Sequence, residues 1–320
     1  VRLREFDFSH ASFFEFGFEK SCGSFEIRHT HPHGAMAKSS SKSADKKIAA
    51  KAAGAALKLK RDVLKAAEAL DVTDALGGIL QKKSITAAAS TDLGDDDRQW
   101  ISALTETNMK PVCGETAWLD GGIGKETMRD AFTEGSRYLI ARAPQSGLAE
   151  RDANVDSTSS GVPVAFVCYR FELLKDADVP VLRVHSLQVD PKWRRTGLGK
   201  LLTLLTEMVA KKANVGGVMV AVGRDGNDTA KQFYAKTKYH LSDLSVSKVN
   251  PWAGEGESPS KGERGGAVDL FQKIFNDDSL ATIQSAAKTL RAQHEKAMHQ
   301  TQKNRHGDAD GDLSWTTGRY

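Results

Sequence analysis

Cysteine is scarce. The three present, Cys22, Cys113 and Cys168, stand too far apart for a metal knuckle, a redox pair or a disulfide framework. Long apolar runs are missing too, since none approaches the roughly 20 residues that span a bilayer. The first residues lack the basic-then-apolar layout of a secretory signal. These absences predict an intracellular protein with no membrane partner. Net charge is also low, +4 over 320 residues, too little for bulk electrostatics to demand a specific nucleic-acid role. No internal repeat is visible.

What the chain does have is enough for one sizeable core, with 40% hydrophobic residues. Its charge is uneven. Lys38, Lys42, Lys46, Lys47, Lys51, Lys58, Lys60 and Arg61 crowd one region, and Asp95, Asp96 and Asp97 follow later. Such a basic segment can touch nucleic acid or a ribosome; a solvated helix face is the plainer reading. Residues 1–35 begin without Met and are rich in Phe, whereas Met36 opens a lysine- and serine-rich stretch that reads like a natural start. Residues 1–35 are therefore expected to be a non-native or disordered extension. Glu5, Asp7, Glu15 and Glu19 argue against a transit peptide.

Four segments emerge from this reading: the extension 1–35, a basic tail and helix over 36–82, an α/β domain over 83–276, and a helical or loose tail over 277–320. Within them, Ala- and Lys-rich residues 46–80 predict one helix with Val63, Leu64, Ala67 and Leu70 on one face. Strands are expected at 83–90, 137–142, 162–171, 181–189 and 217–222, with a polar loop from Pro144 to Gly161. Helices are expected from Asp95 through Met109, near 127–132, from Leu198 to Lys211 and at 227–238. Residues 239–246 and 267–275 are expected to close the sheet as a final strand pair around a Gly- and Ser-rich insert. Asp308-Ala309-Asp310-Gly311-Asp312 starts like a calcium loop, but Leu313 stands where the sharp turn needs Gly and no Glu closes it. His294, His299 and His306 lack a ligand set, so no metal is expected.

The most informative stretch runs from Val184 to Leu202. An apolar strand leads through Arg194-Arg195-Thr196-Gly197-Leu198-Gly199-Lys200 into a helix with Leu198, Leu201, Leu202, Leu205 and Val209 at helical spacing. Backbone N–H groups at such a helix start converge on one point and suit a pyrophosphate. Gly197 and Gly199 are expected to give the turn its unusual dihedrals, and Arg194, Arg195 and Lys200 to supply charge.

This motif resembles the acetyl-coenzyme A grip of the GNAT N-acetyltransferases. Further segments resemble one branch, the NatD-type N-alpha-acetyltransferases: Leu104-Thr105-Glu106-Thr107-Asn108-Met109, Arg137-Tyr138-Leu139-Ile140-Ala141, Val162-Pro163-Val164-Ala165-Phe166, Asn227 and Gln232-Phe233-Tyr234. The resemblance implies an α/β acyl-CoA N-acyltransferase fold, a mixed central sheet with splayed strands flanked by helices. It also implies transfer of acetyl from acetyl-CoA to the N-terminal Ser of histones 4 and 2A, by a monomer in cytoplasm and nucleus with histone tails as partners.

Carried over residue by residue, the pantetheine of the coenzyme would follow the main chain of Leu187, Gln188 and Val189. Arg194, Arg195, Thr196, Gly197, Leu198, Gly199 and Lys200 would hold the pyrophosphate, with Asn227 nearby. Tyr234 stands where many members keep a proton-donating tyrosine. The branch's Tyr-x-Tyr-Glu is replaced by Arg183-Val184-His185-Ser186, so Ser186 occupies the place of the base. His185 is the substitute base if a bulge turns it toward the site. Glu172 aligns with an acid that binds the substrate N-terminus. Trp118, Cys113, Leu173, Leu174 and His185 fall on the substrate side. The altered pocket leaves room for two alternatives: acetylation of another amine, or a catalytically weak acetyl-CoA-binding chromatin or ribosome adaptor.

Overall fold

The computed structural model describes residues 41–120, 122–143, 161–223, 227–250 and 268–307. The expectations for residues 1–35, for Met36, for the loop beginning at Pro144, for the insert after Pro251 and for the calcium-like run at Asp308 lie outside the described residues. The chain divides into two units, Val1–Ala49 and Ala50–Tyr320. The described part of the first is helical, and the second carries all seven strands of the sheet.

The helix expected over 46–80 is two. Helix α1 (Ser41–Glu68) stops before Asp71, whose carboxylate accepts from Thr73 N at 2.7 Å and Asp74 N at 3.2 Å and so starts α2 (Val72–Lys82). Asp71 satisfies two of the donors every helix start leaves open. Strand β1 (Ile85–Ala89) follows, then α3 (Asp95–Cys113), with three aspartates favourably placed in its first turn. The short α4 (Glu115–Leu119) and α5 (Ile123–Ala131) come next.

Strands β2 (Arg137–Ala143), β3 (Val162–Leu174) and β4 (Val179–Val189) form an antiparallel meander with β1. β3 and β4 are longer than expected; only residues 175–178 separate them. Helix α6 (Leu198–Lys212) then crosses over to β5 (Gly217–Gly223), which lies parallel to β4. Helix α7 (Asp228–Lys236), β6 (His240–Leu241), α8 (Val246–Val249), β7 (Val268–Ile274) and α9 (Asp277–Gly307) complete the described chain. The sheet order is β1-β2-β3-β4-β5-β7-β6. The expected final pair is present, β6 antiparallel to β7 at the end of the sheet, but its first strand is shorter than expected: β6 has two residues, Val246–Val249 is helical, and β7 lies between β5 and β6.

One face of the sheet is covered by α6. Its Leu202, Leu205 and Val209 are at most 1% exposed and pack with Leu139, Tyr169, Leu182, Val218 and Val220. Each such side chain contributes roughly 1.5–3 kcal/mol. On the other face two clusters stand apart. Trp100, Ile101, Leu104 and Phe132 meet Tyr138, Ile140 and Phe166, whereas Ile283, Ala287, Leu244 and Val249 meet Val181 and Met219. Between them the sheet presents polar side chains, among them those of Arg170, Glu172, Arg183 and His185. No helix among the described residues is long and apolar enough to cross a membrane.

Candidate active site

The parallel ladder between β4 and β5 ends early. Its rungs are Leu182–Val218, Arg183–Met219 and Val184–Val220, although β4 runs on to Val189 and β5 to Gly223. From there β5 pairs with β7 only, and β4 with β3. Asp190 N–H bonds the Val164 carbonyl at 2.9 Å, so strand alternation turns the main-chain groups of Leu187 and Val189 away from β3, toward the opened side. That edge can take an extended, amide-bearing ligand as a strand would be taken.

The turn after β4 bonds within itself and leads into α6, whose first N–H groups are left uncommitted. Asp190 accepts from Lys192 N, Thr196 Oγ1 donates to the Trp193 carbonyl at 2.7 Å, and Gly197 takes φ +92° as the N-cap of α6. Having no side chain, Gly197 caps nothing, and the N–H groups of Leu198, Gly199 and Lys200 face outward as a helix start requires. The sequence expectation needs one correction. Gly199 lies inside the helix without a positive φ, and the second left-handed residue is Arg195, at +65°. A Cβ on Gly199 would meet only ordinary contacts, Phe233 at 3.5 Å and Val189 at 3.9 Å. The packing of the protein therefore does not demand glycine there, whereas a ligand pressed against the backbone would. Arg194, Arg195 and Lys200 are exposed around the turn. Asn227 is the N-cap of α7, yet its side chain makes no cap bond.

A bulge in β4 shapes the polar face of the sheet. Cys168 pairs with Ser186 and Tyr169 with Val184, leaving His185 as the extra residue, and consecutive residues can then share a face. His185 Nε2 lies 2.8 Å from Glu172 Oε1, and Nδ1 lies 3.2 Å from an Arg170 guanidinium nitrogen. Arginine can only donate, so Nδ1 is the accepting nitrogen and Nε2 carries the proton given to Glu172. Both ring nitrogens are thereby committed. The bulge on which His185's role as a substitute base depended is present, and the histidine's lone pair is engaged by Arg170. Glu172 also accepts from Arg170 Nε at 3.2 Å and faces Arg183 at 3.6 Å. Burial would raise its pKa, but the hydrogen bond from His185, the charge of Arg183 and the bond from Arg170 outweigh it and hold the carboxyl at about 2. Sequence reasoning missed Arg170, which stands two residues before Glu172 on β3 and shares its face.

It also missed Asn108, in α3. Asn108 Nδ2 donates to Gln188 Oε1 at 3.0 Å and to the Val189 carbonyl at 3.2 Å, while its Oδ1 accepts from Arg194. Gln188, 8% exposed, donates in turn to Ser186 Oγ at 3.1 Å.

The remaining expected residues lie further from this face or within the core. Tyr234 is 6% exposed, ringed by Phe233, Tyr239 and Phe271, and burial pushes its hydroxyl pKa upward. Trp118, 5% exposed, packs so closely on Gly124 of α5 that a Cβ there would fall 2.8 Å from its ring. Cys113 ends α3 half-buried, with its thiol pKa raised by burial. Leu173 and Leu174 finish β3, and Leu174 joins the α8–α9 cluster. Among the described residues no three His, Cys, Asp or Glu side chains gather closely enough to hold a metal.

A parallel strand pair opened at its C-terminal ends, flanked by an Arg-x-x-Gly-x-Gly turn that starts a helix, defines an acyl-coenzyme A N-acyltransferase fold. Residues 122–239 match the model of the acetyltransferase (GNAT) family, and the mixed seven-stranded sheet with its flanking helices is the GNAT fold. Among solved structures the chain is similar to the PaiA N-acetyltransferase of Thermoplasma acidophilum in complex with coenzyme A, at 13% identity, covering 60% of this chain and 99% of that one, with a TM-score of 0.38. It is also similar to two Arabidopsis thaliana proteins. One is Naa50 in complex with the bisubstrate analogue CoA-Ac-MVNAL (16% identity, 60% and 99% covered, TM-score 0.35). The other is NAA60 in complex with a bisubstrate analogue (15%, 60% and 99%, TM-score 0.36).

Proposed function

We propose that this protein transfers acetyl from acetyl-coenzyme A to the N-terminal amine of a protein, and that the N-terminal Ser of histones 4 and 2A is its substrate. The observation that carries acetyl transfer is the opened β4–β5 edge ending at the uncapped start of α6. Leu187 offers its main-chain groups along that edge and Val189 its N–H, the N–H groups of residues 198–200 face a pyrophosphate, and Arg194, Arg195 and Lys200 neutralise it. The segments around Asn108, Tyr138 and Val164 that resemble the NatD branch support the finer substrate.

Acetyl-coenzyme A brings a thioester already activated for attack. An α-amine has a free pKa of about 8, so a useful fraction is neutral near pH 7.5, and water can take its proton. Holding amine and thioester together then supplies most of the acceleration. Mass spectrometry of Ser-Gly-Arg-Gly peptides incubated with acetyl-coenzyme A tests this reading: acetylation is expected on the terminal amine, and acetylation of lysine side chains alone would reject it.

A second reading, acetylation of a different amine, is favoured by one observation. Glu172, the acid expected to bind the substrate terminus, is already engaged by Arg170, Arg183 and His185. A peptide array varying the first three residues separates the two, because a histone enzyme prefers Ser-Gly-Arg over neutral or acidic starts.

A further inference from the structure

Four side chains form one hydrogen-bonded line whose direction is fixed at its origin. Arg194 carries donors only, so the Asn108 atom it meets is the carbonyl Oδ1. The Val189 carbonyl can only accept, so the Asn108 atom facing it is Nδ2. Asn108 is thus pinned twice. Its Nδ2 gives to Gln188 Oε1, which leaves Gln188 Nε2 to give to Ser186 Oγ. Every donor along the line points from Arg194 toward Ser186. The Ser186 hydroxyl therefore accepts from behind and keeps its own proton to donate ahead. Bonds aligned in this way polarise one another, and a guanidinium at the head strengthens the last donor.

The end of the line is well placed. Ser186 comes immediately after the His185 bulge, two residues past the last rung between β4 and β5 at Val184–Val220, and immediately before Leu187 on the opened edge. It is half-buried, as a group that must meet a ligand has to be. A carboxylate at this position could take a proton; a serine whose oxygen already accepts a bond is set up to give one.

We propose that Ser186 is a catalytic hydrogen-bond donor to the thioester carbonyl oxygen of acetyl-coenzyme A. Asn108 and Gln188 are positioning residues that hold it in that sense from Arg194 in the phosphate turn. This rests on the acetyl-transfer reading above. The amine nitrogen bonds to the carbonyl carbon and the carbon–sulfur bond breaks. The amine gives up one proton and the departing thiolate gains one, through water. Ser186 keeps its proton throughout and stabilises charge on oxygen where it first gathers.

The test uses the full chain and the Ser186→Ala, Ser186→Thr and Asn108→Ala variants. Infrared difference spectra with acetyl-coenzyme A labelled with 13C at the carbonyl, recorded without amine, should show the bound carbonyl stretch below its value in buffer. The stretch should return toward that value in Ser186→Ala, stay low in Ser186→Thr, and move part-way in Asn108→Ala. Turnover should fall on the order of tenfold to a hundredfold in Ser186→Ala with KM for acetyl-coenzyme A little changed. The double variant Asn108→Ala/Ser186→Ala should be no slower than Ser186→Ala alone. A carbonyl band equally low in Ser186→Ala, or single losses that multiply in the double variant, overturns the assignment. A wild-type protein that binds acetyl-coenzyme A but acetylates no amine overturns the transfer reading, and this inference with it.

Discussion

At the scale of single residues, Glu172 shows most clearly how local chemistry sets behaviour. Both of its oxygens face cations or donors supplied by Arg170, Arg183 and His185, and its carboxyl is held at about 2 against an ordinary 4.5. A carboxyl whose folded pKa is lowered stabilises the fold above its unfolded value and loses that contribution as pH falls through the folded one. Wild type should therefore exceed Glu172→Gln in stability at pH 7, with the gap narrowing between about pH 4.5 and pH 2. Urea denaturation across that range checks it. A gap independent of pH would mean that the ion cluster contributes nothing through charge. The same residue marks what the sequence conveys and what it withholds. Glu172 and His185 were legible as site candidates through the resemblance of their segments to the acetyltransferases. Arg170, which commits the histidine's lone pair, was not, because strand alternation says which face a residue takes but not which partner it meets. Asn108 was still less visible: its partner Arg194 is 86 positions away, and only the packing of α3 against β4 brings the two together.

At the scale of elements, the turn into α6 separates two glycines that look alike in the sequence. Gly197 sits at φ +92°, where any side chain is strained, whereas Gly199 has helical dihedrals and space for a Cβ. Gly197→Ala should lower stability by about 1 kcal/mol and weaken acetyl-coenzyme A binding as well. Gly199→Ala should melt like wild type yet bind acetyl-coenzyme A roughly tenfold more weakly, since its methyl group would stand where the phosphate oxygens approach the helix start. Calorimetric titration beside thermal melting distinguishes the two, and unchanged binding by Gly199→Ala would count against the phosphate reading of the turn. Elements with strong local signals were read correctly in kind: the amphipathic α6, the β-branched β4 and β5, and α3, although the aspartates expected to cap it lie in its first turn and Gly94 is its N-cap. The break between α1 and α2 was overlooked because an Ala- and Lys-rich run masks it, although Asp71 with Thr73 and Asp74 behind it is a legible cap. The insertion of β7 between β5 and β6 had no local signal at all, since strand order is set by long-range pairing.

At the scale of the whole molecule, α9 does more than finish the chain. Ile283 and Ala287, at 0% and 4% exposed, cover Val181 of β4 and Met219 of β5, and Arg291 Nε of α9 donates to the Lys248 carbonyl of α8 at 3.1 Å. Beyond it, residues 295–301 are exposed. Val181 is also the β4 partner of Glu172, so the helix backs the very strands that open beside the phosphate turn. Losing one buried isoleucine from such a cluster costs about 2–5 kcal/mol, against a total stability of roughly 5–15 kcal/mol for a domain. A chain ending at Gln293 should therefore melt within ~2 °C of the full chain and keep its affinity for acetyl-coenzyme A. A chain ending at Asn276 should lose cooperative melting, and with it the β4–β5 register that places Ser186 and Glu172. Differential scanning calorimetry of the two truncations, each with and without acetyl-coenzyme A, measures this. If the shorter chain still melted cooperatively and bound the thioester, the opened edge would be held by α6 and the sheet alone, and α9 would be an appendage rather than part of the site's foundation.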